Sequence, residues 1–386
     1  MISWDPGSGE STSGKSKSLS VSPIVEELIA APRRSAMPGP RFLVWLQAAR
    51  PGDEAQVGVR AVQLGEMHET LGHRGLLIPH GFATSRDAIE LFLDSRVPST
   101  RWREWRGALS WCDPFVLQSG SLRAAIRRLL REPDASPGLA ARIELIRSLV
   151  RATPVPAGVE DALQMGYRRL RELYGHHLEV VVRCSRAGED GTAPFFGDGG
   201  DHVLGLQNFN DVIGAWRDSC ATAFDETAIR TAVREGTSLP GEGFGVLVMS
   251  MVRSETAVSG FVSTRDPHTF QDHTLHVSAS RGVGRALPPG GGSADDVVLA
   301  KDALRGSSSR LDFQSAARGQ VLAVDELMRL AAIALAVEEH YGCPVRLEWA
   351  QDGNTGEFMI VQVNPLGTRP SPTVRTFSTV SSLERW

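Results

Sequence analysis

Residues 246–267 read Val-Leu-Val-Met-Ser-Met-Val-Arg-Ser-Glu-Thr-Ala-Val-Ser-Gly-Phe-Val-Ser-Thr-Arg-Asp-Pro, and the fold class turns on this stretch. Two short extended runs, Phe244–Ser250 and Gly260–Ser263, flank a polar break, and a third follows at Thr274–Ala279. Runs of this length, rich in β-branched residues and bounded by turn formers, predict strands. Upstream, Phe42–Leu46 and Val180–Arg183 read the same way. Between them, Ser121–Arg131, Leu139–Arg151 and Val159–Tyr174 carry apolar residues at helical spacing with arginines opposite. Downstream, Leu327–Tyr341 predicts a long helix. Val345–Trp349 and Phe358–Val363 predict a strand pair across the turn Asp352-Gly-Asn-Thr-Gly356. The mixture is α+β without an internal repeat.

Composition narrows the chemistry. The 386 residues, 41% apolar and 22% charged, are those of a globular protein large enough for two or three packed subdomains. A net charge of −4 advertises neither nucleic acid nor an anionic membrane. The only lysines are Lys15, Lys17 and Lys301, so anion chemistry here rests on fixed guanidinium forks. Cys112, Cys184, Cys220 and Cys343 are scattered, which excludes a CxxC-type zinc site and a disulfide framework. No secretory apolar region follows Met1, and the most apolar run, Leu327–Val337, is too short to span a bilayer. The expected setting is a reduced cytoplasm.

The N-terminal stretch Gly9-Glu-Ser-Thr-Ser-Gly-Lys15-Ser16 matches the phosphate-cradling pattern GxxxxGK[ST]. That pattern works only where a strand feeds the loop and a helix leaves it. Here Asp5-Pro-Gly precedes it and poor helix formers up to Pro23 follow, so it reads as a chance match in a polar leader. The expected organisation is a leader with a short helical extension (1–40), an N-terminal lobe with a helical insert (41–240), a C-terminal lobe (241–370) and a polar tail (371–386).

Several segments, in order, resemble the N-terminal ATP-binding domain of phosphoenolpyruvate synthases, pyruvate phosphate dikinases and rifampicin phosphotransferases. Val57-Gly-Val-Arg60-Ala-Val-Gln-Leu-Gly-Glu-Met67 is similar to that family's VGGKxxxLGEM loop, and Ile78-Pro-His-Gly-Phe-Ala-Thr84 to its VPxGFxxT. Val181-Val-Arg183-Cys-Ser-Arg-Ala-Gly-Glu189-Asp190 resembles VRSSAxxED, and Phe195-Phe-Gly197 sits where SFAGQ would. Val246–Pro267 tracks VVQxMVxxxxSGVxFTxDP through Met251-Val252, Ser259-Gly260, Thr264 and Asp266-Pro267. Arg281-Gly-Val-Gly-Arg285 replaces WGLGE. Leu347-Glu348-Trp349-Ala350 and Gln362-Val-Asn364-Pro365 stand for IEWA and QxRP.

The resemblance implies an ATP-grasp-type, two-lobed fold that binds ATP with Mg²⁺. Arginines suit a triphosphate because they neutralise it and hold it by forked hydrogen bonds. Arg60 takes the place of the family's loop lysine, and Arg183 that of its phosphate-bridging arginine. Gly197, Gly282 and Gly284 offer close backbone approach. Met249, Met251 and Val252 lie where the family packs adenine, and Thr264 belongs to the same stretch. Glu348 and Gln362 resemble the Mg²⁺ ligands, hard oxygen donors on adjacent strands.

Three departures fall on the chemistry: Asn364 replaces the arginine facing the transferring phosphoryl group, Arg285 a glutamate and Arg281 a tryptophan. Arg281 and Arg285 are therefore candidates to restore positive charge from the facing loop. With few residues following Pro365, the expectation is a component standing apart from the family's phosphohistidine and acceptor domains. The expected function is a dikinase-type phosphotransferase component acting on a small molecule or a separate histidine-bearing partner. An ATP-grasp ligase or condensing component, and a non-catalytic nucleotide sensor, are the alternatives.

Overall fold

Strand Phe244–Ser250 holds the centre of the first sheet, and all seven of its residues are buried. Its apolar run lacks alternation because both of its faces are covered. In this computed structural model the described residues are 42–98, 120–130, 138–186, 202–226, 229–230, 244–254, 257–267, 269–282, 295–305, 314–315 and 321–366. The first sheet comprises β1 (Leu43–Trp45), β2 (Gly81–Thr84), β3 (Val180–Arg186), β4 (His202–Leu206) and β5 (Phe244–Ser250), in the order β1-β2-β5-β3-β4. Every pairing in it is antiparallel.

Side chains alternate across a strand, so the first sheet has two distinct faces. Phe82, Val180, Val182, Cys184, Val246 and Val248 face a core built with helices from the insert. In chain order the helices up to that point are α1 (Glu54–Val57), α2 (Val59–Leu71), α3 (Arg86–Leu93), α4 (Leu122–Leu130), α5 (Leu139–Ala152), α6 (Ala157–Tyr174) and α7 (Phe209–Thr222). Trp216 of α7 anchors this core, stacking edge-on against Phe92 and donating to Thr84 Oγ1 at 3.1 Å. Ala83, Val181, Leu247 and Met249, on the opposite face, join a second core with α2 and the second sheet.

The second sheet comprises β6 (Val258–Ser263), β7 (Thr274–Arg281), β8 (Asp295–Ala300), β9 (Gln314–Ser315), β10 (Val345–Gln351) and β11 (Phe358–Pro365). Its order is β11-β10-β6-β7-β8-β9. Helices α8 (Lys301–Arg305) and α9 (Val324–Tyr341) complete the described elements. Val262, Val277, Val345, Leu347, Trp349, Ile360 and Val363 join α9 residues such as Leu330 and Ala334 in the shared core. The other face of the sheet is polar. The expected α+β, two-lobed architecture is present.

Strand β5 pairs between β2 and β3 in the first sheet. Two readings need correction. Residues 59–71, expected as a loop, form helix α2, with apolar Ala61, Leu64, Met67 and Leu71 buried at helical spacing. Strands β6 and β7 also begin earlier or run later than expected, at Val258 and Arg281. The leader, including Lys15, and the tail from 371 lie outside the described residues.

Helix α2 joins the lobes. Its Glu66 accepts from Tyr341 Oη at 3.2 Å and lies 2.8 Å from His340 Nε2, both on α9. Just beyond its end, Leu77 O accepts from Ile360 N at 2.9 Å, laying a parallel bridge against β11 before the chain returns to β2. Among the described residues no helix is long and apolar enough to cross a membrane.

Candidate active site

The site forms where β3 of the first sheet meets β10 and β11 of the second. Arg183 follows Val181 on the face of β3 turned toward the shared core, and only 9% of it is exposed. Its Nη1 lies 3.3 Å from Glu348 Oε2 on β10, and its Nη2 donates to Gln362 Oε1 on β11. Glu348 and Gln362 are register partners, so their side chains share a sheet face. Gln362 Nε2 then donates to Asn364 Oδ1 at 3.1 Å. Four residues singled out from the sequence, far apart along the chain, thus form one hydrogen-bonded cluster.

Arg60 sits two residues into α2. Its Nη1 donates to Cys184 O at 2.8 Å, which puts it beside Arg183 on the neighbouring peptide of β3. A helix N-terminus leaves backbone N–H groups without intrahelical partners. Gly58, at the cap, offers no side chain, and Ser185 Oγ substitutes, accepting from Arg60 N at 3.1 Å and Ala61 N at 3.4 Å. The close approach explains the glycine: a Cβ on Gly58 would lie 2.1 Å from Ser185 O.

Other candidates are placed differently. Met249 is 1% exposed and belongs to the shared core. Met251 and Val252 lie in the connection from β5 to β6, where Met251 N donates to Glu179 O at 2.8 Å. Thr264 is fully buried; its Oγ1 accepts from Val345 N at 2.8 Å, which pins the start of β10. Its hydroxyl is thus committed to the sheet, three residues along β10 from Glu348. Arg281 ends β7 and is exposed, and Gly282 beyond it has a φ of +87° and accepts from Ser259 Oγ at 2.6 Å. Gly197, Gly284 and Arg285 lie outside the described residues, as do Glu189 and Asp190.

Sequence reasoning missed Arg346. It projects from β10 on the same face as Glu348, and its guanidinium carbon lies 4.3 Å from the Phe261 ring centre. The signal was available in the alternation of Val345-Arg-Leu-Glu348-Trp, which sends Arg346 and Glu348 to one side.

Chemically the cluster pairs one guanidinium with two oxygen acceptors from adjacent strands. Glu348 Oε2 and Gln362 Oε1 converge on one cationic group, here the Arg183 guanidinium. Hard oxygens converging on a cation are what Mg²⁺ requires, so these residues fit it. Among the described residues no group of three or more His, Cys, Asp or Glu side chains clusters to hold a metal. A cation at Glu348 and Gln362 would therefore complete its shell with water or phosphate oxygens, which is how Mg²⁺ is commonly bound.

Arg183 thus reaches from the first sheet to a pair of oxygen acceptors on the second, with Arg60 beside it. Residues 54–382 match the family described as pyruvate phosphate dikinase, AMP/ATP-binding domain, and the chain belongs to that family. It is similar to the phosphoenolpyruvate synthase of Escherichia coli K12, 26% identical over 354 residues, covering 84% of this chain and 42% of that protein. The phosphoenolpyruvate synthase of Synechocystis sp. PCC 6803 is 25% identical over 384 residues, covering 89% and 43%. The chain thus spans less than half the length of these curated relatives. Among solved structures it shows a likeness to D-alanyl-alanine synthetase A from Vibrio cholerae over 60% of this chain and 64% of that one. That likeness has a TM-score of 0.25 and 12% identity, too low to bear on the fold.

Proposed function

We propose that the chain is the ATP-using component of a dikinase-type phosphotransferase, passing a phosphoryl group from Mg-ATP to a small molecule or a histidine-bearing domain. The observation that carries this reading is the Arg183 bridge: a phosphate-type arginine on β3 held by the two oxygen donors Glu348 and Gln362 across the cleft. Family membership supports ATP as the substrate, and the relatives' name supports phosphoryl chemistry.

In this reading ATP enters between the sheets, with its base toward Met251 and Val252 in the connection between them. Arg183 exchanges its carboxylate and amide partners for phosphate oxygens, retaining a forked, charge-assisted geometry. Glu348 and Gln362, freed of the guanidinium, would hold Mg²⁺, which would supply positive charge to offset that of the phosphates. Arg60, fixed at the N-terminal end of α2, adds a second guanidinium on the first-sheet side. The acceptor oxygen or nitrogen attacks phosphorus in line as the bond to the leaving phosphate oxygen breaks, and the arginines stabilise the charge that moves onto the leaving group.

The test is labelled Mg-ATP incubated with the protein, alone and with cell extract or a purified phosphohistidine domain, resolving AMP from ADP. Turnover alone should be slow, and a productive acceptor should raise it by roughly a thousandfold or more, because positioning supplies most of the catalysis. AMP with phosphate would mark dikinase chemistry, and ADP a simple kinase or a ligase-type activation. Tight ATP binding with no consumption in any arm would sink the transferase reading. It would favour a nucleotide-sensing role, for which Asn364 in place of a phosphoryl-facing arginine already argues.

A further inference from the structure

Strand β10 carries two ionic side chains on its polar face, and only Glu348 has a role in the site so far. Val345, Leu347 and Trp349 are buried in the shared core, so Arg346 and Glu348 project from the opposite face. The ladder places Arg346 opposite Asn364 and Glu348 opposite Gln362, and its one bulge comes only after Glu348. Directly opposed residues have Cβ atoms about 5 Å apart. The four side chains therefore make one patch, and Arg183 reaches into it from the first sheet.

Two observations show what this patch takes. Arg183 and Arg346 bring two guanidiniums to the single carboxylate of Glu348, and Glu348 already accepts from Arg183. The patch is thus positive and suited to an anion. Arg346 is also oriented: its guanidinium stacks at 4.3 Å over Phe261, whose own register partner on β10 is Glu348. Stacking of this kind holds a planar cation in place while its edge donates hydrogen bonds.

We propose that Arg346 is a phosphate-facing cation of this site, standing across the β10–β11 ladder from Asn364 and supplying the positive charge that Asn364 lacks. The proposal rests on the phosphoryl-transfer reading above and deepens it. Arg281 is exposed at the end of β7, whereas Arg346 is inside the patch, so Arg346 is the better placed of the two.

The experiment measures dissociation constants for ATP and AMP in the full chain and in Arg346→Ala, Arg346→Lys and Arg346→Ala/Asn364→Arg, with thermal unfolding of each. Loss of a charged phosphate contact should weaken ATP roughly tenfold to a hundredfold while moving AMP by less than about threefold. Lysine should recover part of the loss, because it keeps the charge without the fork. The double variant should recover it too, since the cation returns one strand away. If Arg346→Ala unfolds, the lysine variant carries the comparison, and equal losses for ATP and AMP there overturn the proposal. Wild-type protein that prefers ATP, with variants that prefer it equally, removes Arg346 alone. Wild-type protein that binds ATP no better than AMP overturns the phosphoryl reading, and the role of Arg346 with it.

Discussion

Arg183→Ala should weaken Mg-ATP binding by about 3 kcal/mol, roughly a hundredfold in Kd, because a forked charge-assisted contact is lost from a desolvated position. The side chain is 9% exposed and bridges the two sheets. Arg183→Lys should recover less than half of that loss, since an ammonium cannot make two parallel hydrogen bonds. The nucleotide-free protein gives a second readout. With the guanidinium gone, Glu348 and Gln362 are desolvated oxygen donors without their cation, and Mg²⁺ alone should raise the melting temperature more than it does in wild type. Titration calorimetry checks the first statement and thermal unfolding with and without MgCl₂ the second. Unchanged ATP affinity in Arg183→Ala would remove this residue from the site. An unchanged magnesium response would remove Glu348 and Gln362 as its ligands.

The other large effect is on folding. Gly58 has a φ of +81° and a ψ of 162°, a region open essentially to glycine alone. Alanine there would also drive its Cβ to 2.1 Å from Ser185 O and 2.3 Å from Ser185 Oγ. Strain and overlap together should cost about 3 to 4 kcal/mol, a fall of roughly 5 °C in Tm for a domain of this size. Gly75 is the milder comparison, with φ +88° and ψ 11° in the left-handed region and nothing within 4 Å of an added Cβ. Gly75→Ala should cost only about 1 kcal/mol. Because Ser185 caps α2 and Arg60 follows that cap, Gly58→Ala should also weaken ATP in whatever fraction still folds. Equal Tm shifts in the two variants would show that neither the backbone region of Gly58 nor its contact with Ser185 adds to the cost.

What could be read from the sequence followed how local each signal is. The all-apolar run of β5 announced a buried strand, and the alternation in β10 and β11 announced a half-covered pair. Arg183, Glu348 and Gln362 were identifiable from the family motifs, and the structure brings them together. The place of β5 was not legible, because it inserts between β2 and β3, a pairing over long sequence separations that leaves no trace in neighbouring residues. Helix α2 was concealed by its glycine-led motif, although Leu64, Met67 and Leu71 carried the helical spacing. Helix α7 had a usable start signal: Asn208 Oδ1 accepts from Asp211 N at 3.0 Å, the pattern of an N-cap. Strand β8 is short and opens on two acidic residues, Asp295 and Asp296, which weakened its apolar signature. Thr264 shows the opposite limit. A motif position can belong to the family for its folding, and here the hydroxyl holds β10 in place.

On the proposed reading, the ion pair between Arg183 and Glu348 changes what kind of reaction nucleotide capture would be. A cleft lined with unmatched cations would draw a polyanion from a distance and release it readily as ionic strength rose. Here the guanidinium is already matched, so capture is a swap of one counter-ion for another, and much of the electrostatic attraction cancels between the two states. On that reading the exchange at Arg183 itself should be comparatively indifferent to salt. Its selectivity would come from how well the newcomer's oxygens reproduce the spacing of the carboxylate and amide they displace, so that Glu348 and Gln362 would serve as a template of the group proposed to replace them.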